Sequence, residues 1–141
     1  MKDNYRDLRV AVLGGGTVGA QVAHRLLEGA AELGSRSGAG LSFIGVAVRD
    51  LTAERSAPLP AELLTTDAHS LILQADIVVE LMGGIEPART LILEALGSGA
   101  DVVTANKALL AEHGPELFDA AARVGAQLYY EAAVAAAIPI I

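Results

Sequence analysis

The chain is 141 residues long, with 52% hydrophobic residues, a formal net charge of −7 and no cysteine. That length predicts one domain, able to bury roughly 70% of its unfolded surface, and the acidic balance argues against a nucleic-acid or anionic-membrane surface, which needs clustered lysine and arginine. The absence of cysteine excludes disulfides, thiolate metal sites and a cysteine nucleophile, and fits the reducing cytoplasm.

Residues 1–7 are polar and lack the apolar core of a signal peptide. The longest apolar run, Ala132 to Ile141, is about half of a bilayer span and is interrupted by Pro139. No membrane segment is predicted.

Leu8 to Leu13 is a short apolar, β-branched run that leads into Gly14, Gly16 and Gly19 at G-x-G-x-x-G spacing. An apolar helical pattern follows at Val18, Val22 and Leu26. Strand, tight turn and helix start are the context that gives this spacing meaning. Gly14 allows the sharp turn, Gly16 lets a pyrophosphate approach the backbone, and Gly19 lets the helix lie close on the strand. Amides at the helix start then face the ligand, and the helix dipole favours its negative charge. The competing reading is an ordinary glycine-rich turn that binds nothing.

The first helix is expected from Thr17 to about Leu33, with His24 as an ordinary surface or partly packed residue and residues 34–40 as a flexible connector. A second strand, Leu41 to Val48, ends in Arg49 and Asp50. In a dinucleotide fold this strand end faces the adenosine ribose, where a carboxylate bonds the 2′-hydroxyl and an arginine accommodates a 2′-phosphate. Arg49 therefore favours NADP, with Arg55 as a second cation, while Asp50 keeps NAD open. The alternative is a solvated charge at a strand end.

A loop over Thr52 to Leu59, a helical turn at Ala61 to Leu64, and a short helix capped by Thr66-Asp67 and running from Ala68 to Gln74 follow, with His69 facing solvent. Ile77 to Leu81 is a continuous apolar strand interrupted by Glu80, the pattern of a parallel sheet buried on both faces. A carboxylate buried there needs donors, and the amides of the following glycines are at hand. Two duties stay open for Glu80: anchoring the fold, or serving the cofactor site.

The next helix is expected over Glu86 to Leu96 with Pro87 in its first turn, then a strand at Asp101 to Thr104 opening into Ala105-Asn106-Lys107. A helix from about Ala108 to Val124, interrupted near Gly114-Pro115, precedes a strand at Gln127 to Tyr130. Lysine occurs only at positions 2 and 107. Lys107, after a strand's carboxyl end, is in place to reach the nicotinamide end of a cofactor or a substrate oxygen; the other reading is a surface lysine, poorly matched to a helix start.

Four stretches, Gly14-Gly15-Gly16-Thr17-Val18-Gly19, Val79-Glu80-Leu81-Met82-Gly83-Gly84, Thr104-Ala105-Asn106-Lys107 and Tyr130-Glu131-Ala132-Ala133-Val134 with Ile138-Pro139-Ile140, together resemble homoserine dehydrogenase. The resemblance implies an NAD(P)-dependent oxidoreductase that interconverts L-homoserine and L-aspartate 4-semialdehyde, on the route to threonine, isoleucine and methionine. It implies cofactor contacts from Gly14, Gly16, Thr17, Val18 and Gly19 in the first turn, and from Gly83, Gly84, Thr104 and Asn106. It also implies an Arg49 contact to the 2′-phosphate and a Lys107 on the nicotinamide and substrate side. By the same resemblance Glu131 and the main-chain carbonyls of Val134, Ala136 and Ile138 form a sodium site, although Ala135-Ala136-Ala137 replaces a stretch in which the family usually has glycine.

The expected architecture is a Rossmann-type, doubly wound and mainly parallel α/β sheet of five to six strands over residues 1–133, with 134–141 opening a linker. The family's chain continues into a substrate-binding and dimerisation domain, so the resemblance implies a cofactor half that is inactive alone and associates with that missing part. The alternative is a stand-alone NAD(P)-binding module, or a remnant, without catalysis.

Overall fold

The computed structural model describes residues 8–16, 19–25, 41–52 and 59–131. Six strands form one sheet in the order β3-β2-β1-β4-β5-β6, with every neighbouring pair parallel. They are β1 (Leu8–Leu13), β2 (Leu41–Ala47), β3 (Leu64–Thr65), β4 (Ile77–Glu80), β5 (Asp101–Thr104) and β6 (Leu128–Tyr130). The helices are α1, whose described residues are 19–25, α2 (Ala68–Gln74), α3 (Ala88–Gly97) and α4 (Lys107–Val124).

The chain grows outward from β1 in both directions, to β2 and β3 on one side and to β4, β5 and β6 on the other. Parallel neighbours need helical crossovers of one hand, so reversing the direction of growth moves the helices to the opposite face. Side chains of β1 show the consequence. Ala11 and Leu13 join one buried cluster with Leu71 and Ile72 of α2, Ile92 and Leu96 of α3, and Leu109 and Leu117 of α4. Val12 points the other way, into a second cluster with Val22 and Ala23 of α1 and Val46 of β2. A sheet covered on both faces is the doubly wound arrangement anticipated from the sequence.

Local signals set most of the element ends. Asp67 caps α2 by accepting from the Ser70 amide at 3.1 Å, and Asn106 caps α4 by accepting from the Leu109 amide at 3.1 Å. Gly125, in the left-handed conformation, closes α4. The interruption read near Gly114-Pro115 is present as a break at His113, whose φ −126° and ψ 16° are not helical, two residues before Pro115.

Several boundaries differ from the sequence reading. Residue 87 is the N-cap of α3 rather than part of its first turn, and the Glu86–Pro87 peptide is cis. The turn after Pro60 is a 3-10 turn over Ala61–Leu63, and the next two residues form a strand, β3, that the sequence did not suggest. The rest of the first helix, the connector at 34–40 and the linker at 134–141 lie outside the described residues. Among the described residues no helix is long and apolar enough to cross a membrane.

Candidate functional site

At the carboxyl end of β1 the sheet splits, with β2 on one side and β4 on the other, and an open cleft of about 590 Å³ lies over this division. In open α/β sheets ligands bind outside the carboxyl ends of the strands at such a switch of direction. The cleft is lined by Gly14, Gly15 and Gly16 from the β1 turn, Arg49 and Asp50 from the end of β2, and Leu81 and Met82 from the end of β4.

The three fingerprint glycines have different surroundings. Gly14 has φ +108°, and a β-carbon there would meet the backbone of Leu81 and Met82 at 3.1–3.2 Å. Its amide donates to Ala47 O at 2.9 Å, tying the turn to β2, while the Leu81 amide donates to Leu13 O at 2.9 Å and ties it to β4. A β-carbon on Gly19 would overlap the Gly14 carbonyl. Gly16 is the contrast: a β-carbon there meets nothing within 4 Å, and its φ is not in the left-handed region. Nothing within the described residues demands glycine at position 16. An open backbone at this position is what a ligand that approaches the turn closely would need, as a pyrophosphate does in a dinucleotide fold.

Arg49 is exposed on the cleft rim. Asp50 turns toward its own chain: its Oδ1 accepts from the Thr52 amide at 2.9 Å and from Thr52 Oγ1 at 2.7 Å. Arg55, Thr17 and Val18 lie outside the described residues.

On the β4 side the buried carboxylate of Glu80 is the centre of a polar network. Its Oε2 accepts from the amide of Gly83 at 3.3 Å, one of the glycine donors the sequence suggested, and from the amide of Met82 at 2.9 Å, which the sequence reading did not name. Two further donors were not visible in the sequence. Thr104 Oγ1 donates to Oε1 at 2.5 Å, and Asn106 Nδ2 reaches Oε2 at 3.4 Å. Asn106 Nδ2 also donates to Gly84 O at 2.7 Å, and the Asn106 amide donates to Thr104 Oγ1 at 3.0 Å. Four donors around one buried carboxylate give it the hydrogen-bond partners that its burial demands.

Gly83, Gly84, Thr104 and Asn106 are thus brought together beside the cleft, with Gly83 and Gly84 exposed and both at positive φ. Thr104 and Asn106 are buried, so their side chains serve the network rather than line the cleft. Lys107 is exposed as the first residue of α4, one residue beyond Asn106. It is outside the wall of the cleft.

Of the expected sodium ligands, Glu131 is exposed just after β6, and its amide donates to Thr104 O at 2.9 Å. Val134, Ala136 and Ile138 lie outside the described residues. Among the described residues no three His, Cys, Asp or Glu side chains gather into a metal-binding group.

Charged pairs join α2 to α3 and α3 to α4. Arg89 forms a bidentate pair with Glu116, Nε to Oε1 at 2.8 Å and Nη2 to Oε2 at 2.5 Å, and also reaches Glu86 at 3.2 Å. The Arg89 hydrogen bond is the main cause of the lowered Glu116 pKa; that of Glu86 is lowered chiefly by the Thr90 hydroxyl. His69 bonds Glu94, which raises the imidazole pKa.

Comparison with known proteins agrees with this geometry. A family model described as the NAD binding domain of homoserine dehydrogenase matches residues 14–131. The chain is 50% identical over 134 residues to a homoserine dehydrogenase of Corynebacterium glutamicum, covering 94% of this chain and 30% of that protein. It is 48% identical to the one from Mycobacterium tuberculosis over its whole length, which is 32% of that relative. Among solved structures, homoserine dehydrogenase of S. aureus superposes with a TM-score of 0.81 at 35% identity, over 89% of this chain and 33% of that one. The chain therefore spans about a third of the length of the proteins it matches.

Proposed function

Because the chain belongs to the homoserine dehydrogenase family and corresponds to its NAD-binding domain, we propose that it binds NADP(H) across the β1 turn and supplies the cofactor half of the interconversion of L-homoserine and L-aspartate 4-semialdehyde. A nicotinamide dinucleotide is the ligand of this domain type. The preference for the 2′-phosphorylated form rests on one observation: Arg49 stands on the cleft rim at the end of β2, while Asp50 beside it spends an oxygen on Thr52. A ribose carboxylate partner is thereby replaced by a cation suited to a phosphate.

In this reading the dinucleotide supplies the hydride carrier, and the chain's residues bind and orient it. The amides at the start of α1 and the glycine turn hold the pyrophosphate. Lys107, the first residue of α4 beyond the end of β5, orients the nicotinamide and substrate side. Glu131 with the carbonyls of Val134, Ala136 and Ile138 offers the oxygen donors that suit a sodium ion. Substrate contacts and the proton transfer belong, in this proposal, to the portion of the family's chain beyond this domain, and the setting is the cytoplasm.

Calorimetric titration of the purified chain with NADPH and NADH, alongside Arg49→Ala, tests the proposal. The expected result is tighter NADPH binding that Arg49→Ala weakens about tenfold or more, with NADH little affected. Equal affinity of the unsubstituted chain for both forms, or an unchanged NADPH affinity in Arg49→Ala, overturns the assignment of Arg49. Binding of neither by the folded chain overturns the cofactor site.

A further inference from the structure

We infer that Glu80 is a positioning residue for the nicotinamide-bearing half of the dinucleotide, acting through the backbone of residues 82–84; this rests on the cofactor reading above. The direction of the ligand follows from the sheet. With the pyrophosphate over the β1 turn and the phosphorylated adenosine ribose toward Arg49 on the β2 side, the second nucleoside extends toward β4 and β5. The first structure it meets there is the segment Leu81 to Gly84.

That segment has little of its own to hold it. Gly83 and Gly84 are exposed, adopt φ +77° and +75°, and have nothing within 4 Å of their β-carbon positions. Glycine pairs of this kind have many alternative conformations, so a single one needs external restraint. The restraint comes from beneath. Glu80 Oε2 takes the Met82 and Gly83 amides, and Asn106 takes the Gly84 carbonyl.

Thr104 and Asn106 in turn fasten the same carboxylate to the end of β5 and the cap of α4, where Lys107 begins. Glu80 is fully buried and cannot touch a bound cofactor itself. With these polar groups turned inward, the segment offers the ligand an open glycine backbone of fixed shape. The Met82 side of it forms the cleft wall. One carboxylate thereby sets the relative placement of that wall and of Lys107.

The position predicts a split between ligands. Adenosine 2′,5′-bisphosphate carries the phosphorylated ribose that Arg49 reads but no nicotinamide; NADPH carries both. Glu80→Gln keeps the side chain's shape but turns one acceptor atom into a donor facing other donors, which loosens the segment. Asn106→Ser is the second variant, because the serine hydroxyl still caps α4 while the donor to Gly84 is lost.

Titration of each ligand into the unsubstituted chain, Glu80→Gln and Asn106→Ser, with thermal unfolding in parallel, tests the inference. NADPH affinity is expected to fall about tenfold in both variants with the bisphosphate affinity held within about twofold. Unchanged NADPH affinity, or equal losses for both ligands, overturns the inference and leaves Glu80 as an anchor of the fold only. Should Glu80→Gln fail to fold, Asn106→Ser separates the same two outcomes. Failure of the unsubstituted chain to bind either ligand is a separate result, which removes the cofactor reading and this inference with it.

Discussion

A β-carbon on Gly19 would stand 1.8 Å from the carbonyl oxygen of Gly14, so α1 begins against the strand-end turn at a separation that only glycine permits. Among the described residues nothing places such a constraint on Gly16, between them in sequence. The two positions therefore separate what the fold needs from what the ligand needs. Gly19→Ala forces the helix start away from the turn and is expected to cost about 1–3 kcal/mol of stability. Gly16→Ala is expected to leave stability within about 0.5 kcal/mol while weakening dinucleotide binding. Urea unfolding and calorimetric titration of the two variants measure both effects.

The imidazole of His69 lies against the carboxylate of Glu94, joining α2 to α3 on the surface. The Glu94 hydrogen bond and charge raise the His69 pKa above its ordinary 6.5. A folded pKa above the unfolded one contributes stability that is fully present below the unfolded value and is lost as pH rises through the folded value. A double-mutant cycle of His69→Asn with Glu94→Gln should show favourable coupling at about pH 5.5 and none at about pH 9. The side chain of His69 is 68% exposed, so added salt should also weaken the coupling.

Arg89 behaves in the opposite sense. Its bidentate grip on Glu116 is the largest cause of that carboxyl's lowered pKa, and the Thr90 hydroxyl leads for Glu86, with Arg89 adding to it. Depressed carboxyls contribute stability that is present above their unfolded value, near 4.5 for both, and is lost as pH falls through the folded value. Arg89→Ala is expected to be less stable than the parent at neutral pH, with the gap closing in acid. Arg89→Lys should fall between them, since an ammonium keeps the charge but not the bidentate geometry. Unfolding curves from about pH 7 down to about pH 3 check this ordering.

The parts of this molecule legible in the sequence are those written in short stretches. The glycine turn, the Asp67 cap, the buried faces of α3 at Leu91, Ile92, Ala95 and Leu96, and the exposed strand-end Arg49 each depend on neighbours within a few residues. The strand β3 was missed because two residues, Leu64 and Thr65, show no alternation. It exists because Val46 and Ala47 offer a parallel edge and the Val48 amide finds Thr65 O at 2.8 Å.

The network around Glu80 was half legible for a similar reason. The amides of Met82 and Gly83 are two and three residues away, whereas Thr104 and Asn106 are 24 and 26 away. Only the pairing of β4 with β5, which sets Glu80 opposite Thr104, brings those donors in. The same holds for Arg89 and Glu116, 27 residues apart on different helices.

Lys107 supplies a last test, in which fold and function pull apart. It is the first residue of α4, exposed, and directly after the Asn106 cap. A cation at this end opposes the helix dipole, so the fold alone gives no reason for lysine there. Replacing it removes that repulsion and improves helix propensity. Lys107→Ala is therefore expected to raise stability by about 0.3–1 kcal/mol at low ionic strength, with the gain shrinking as salt screens the dipole. Urea unfolding at low and high salt measures it. A loss of stability instead would mean that Lys107 has a structural partner, and its assignment to the nicotinamide and substrate side would lose its physical basis.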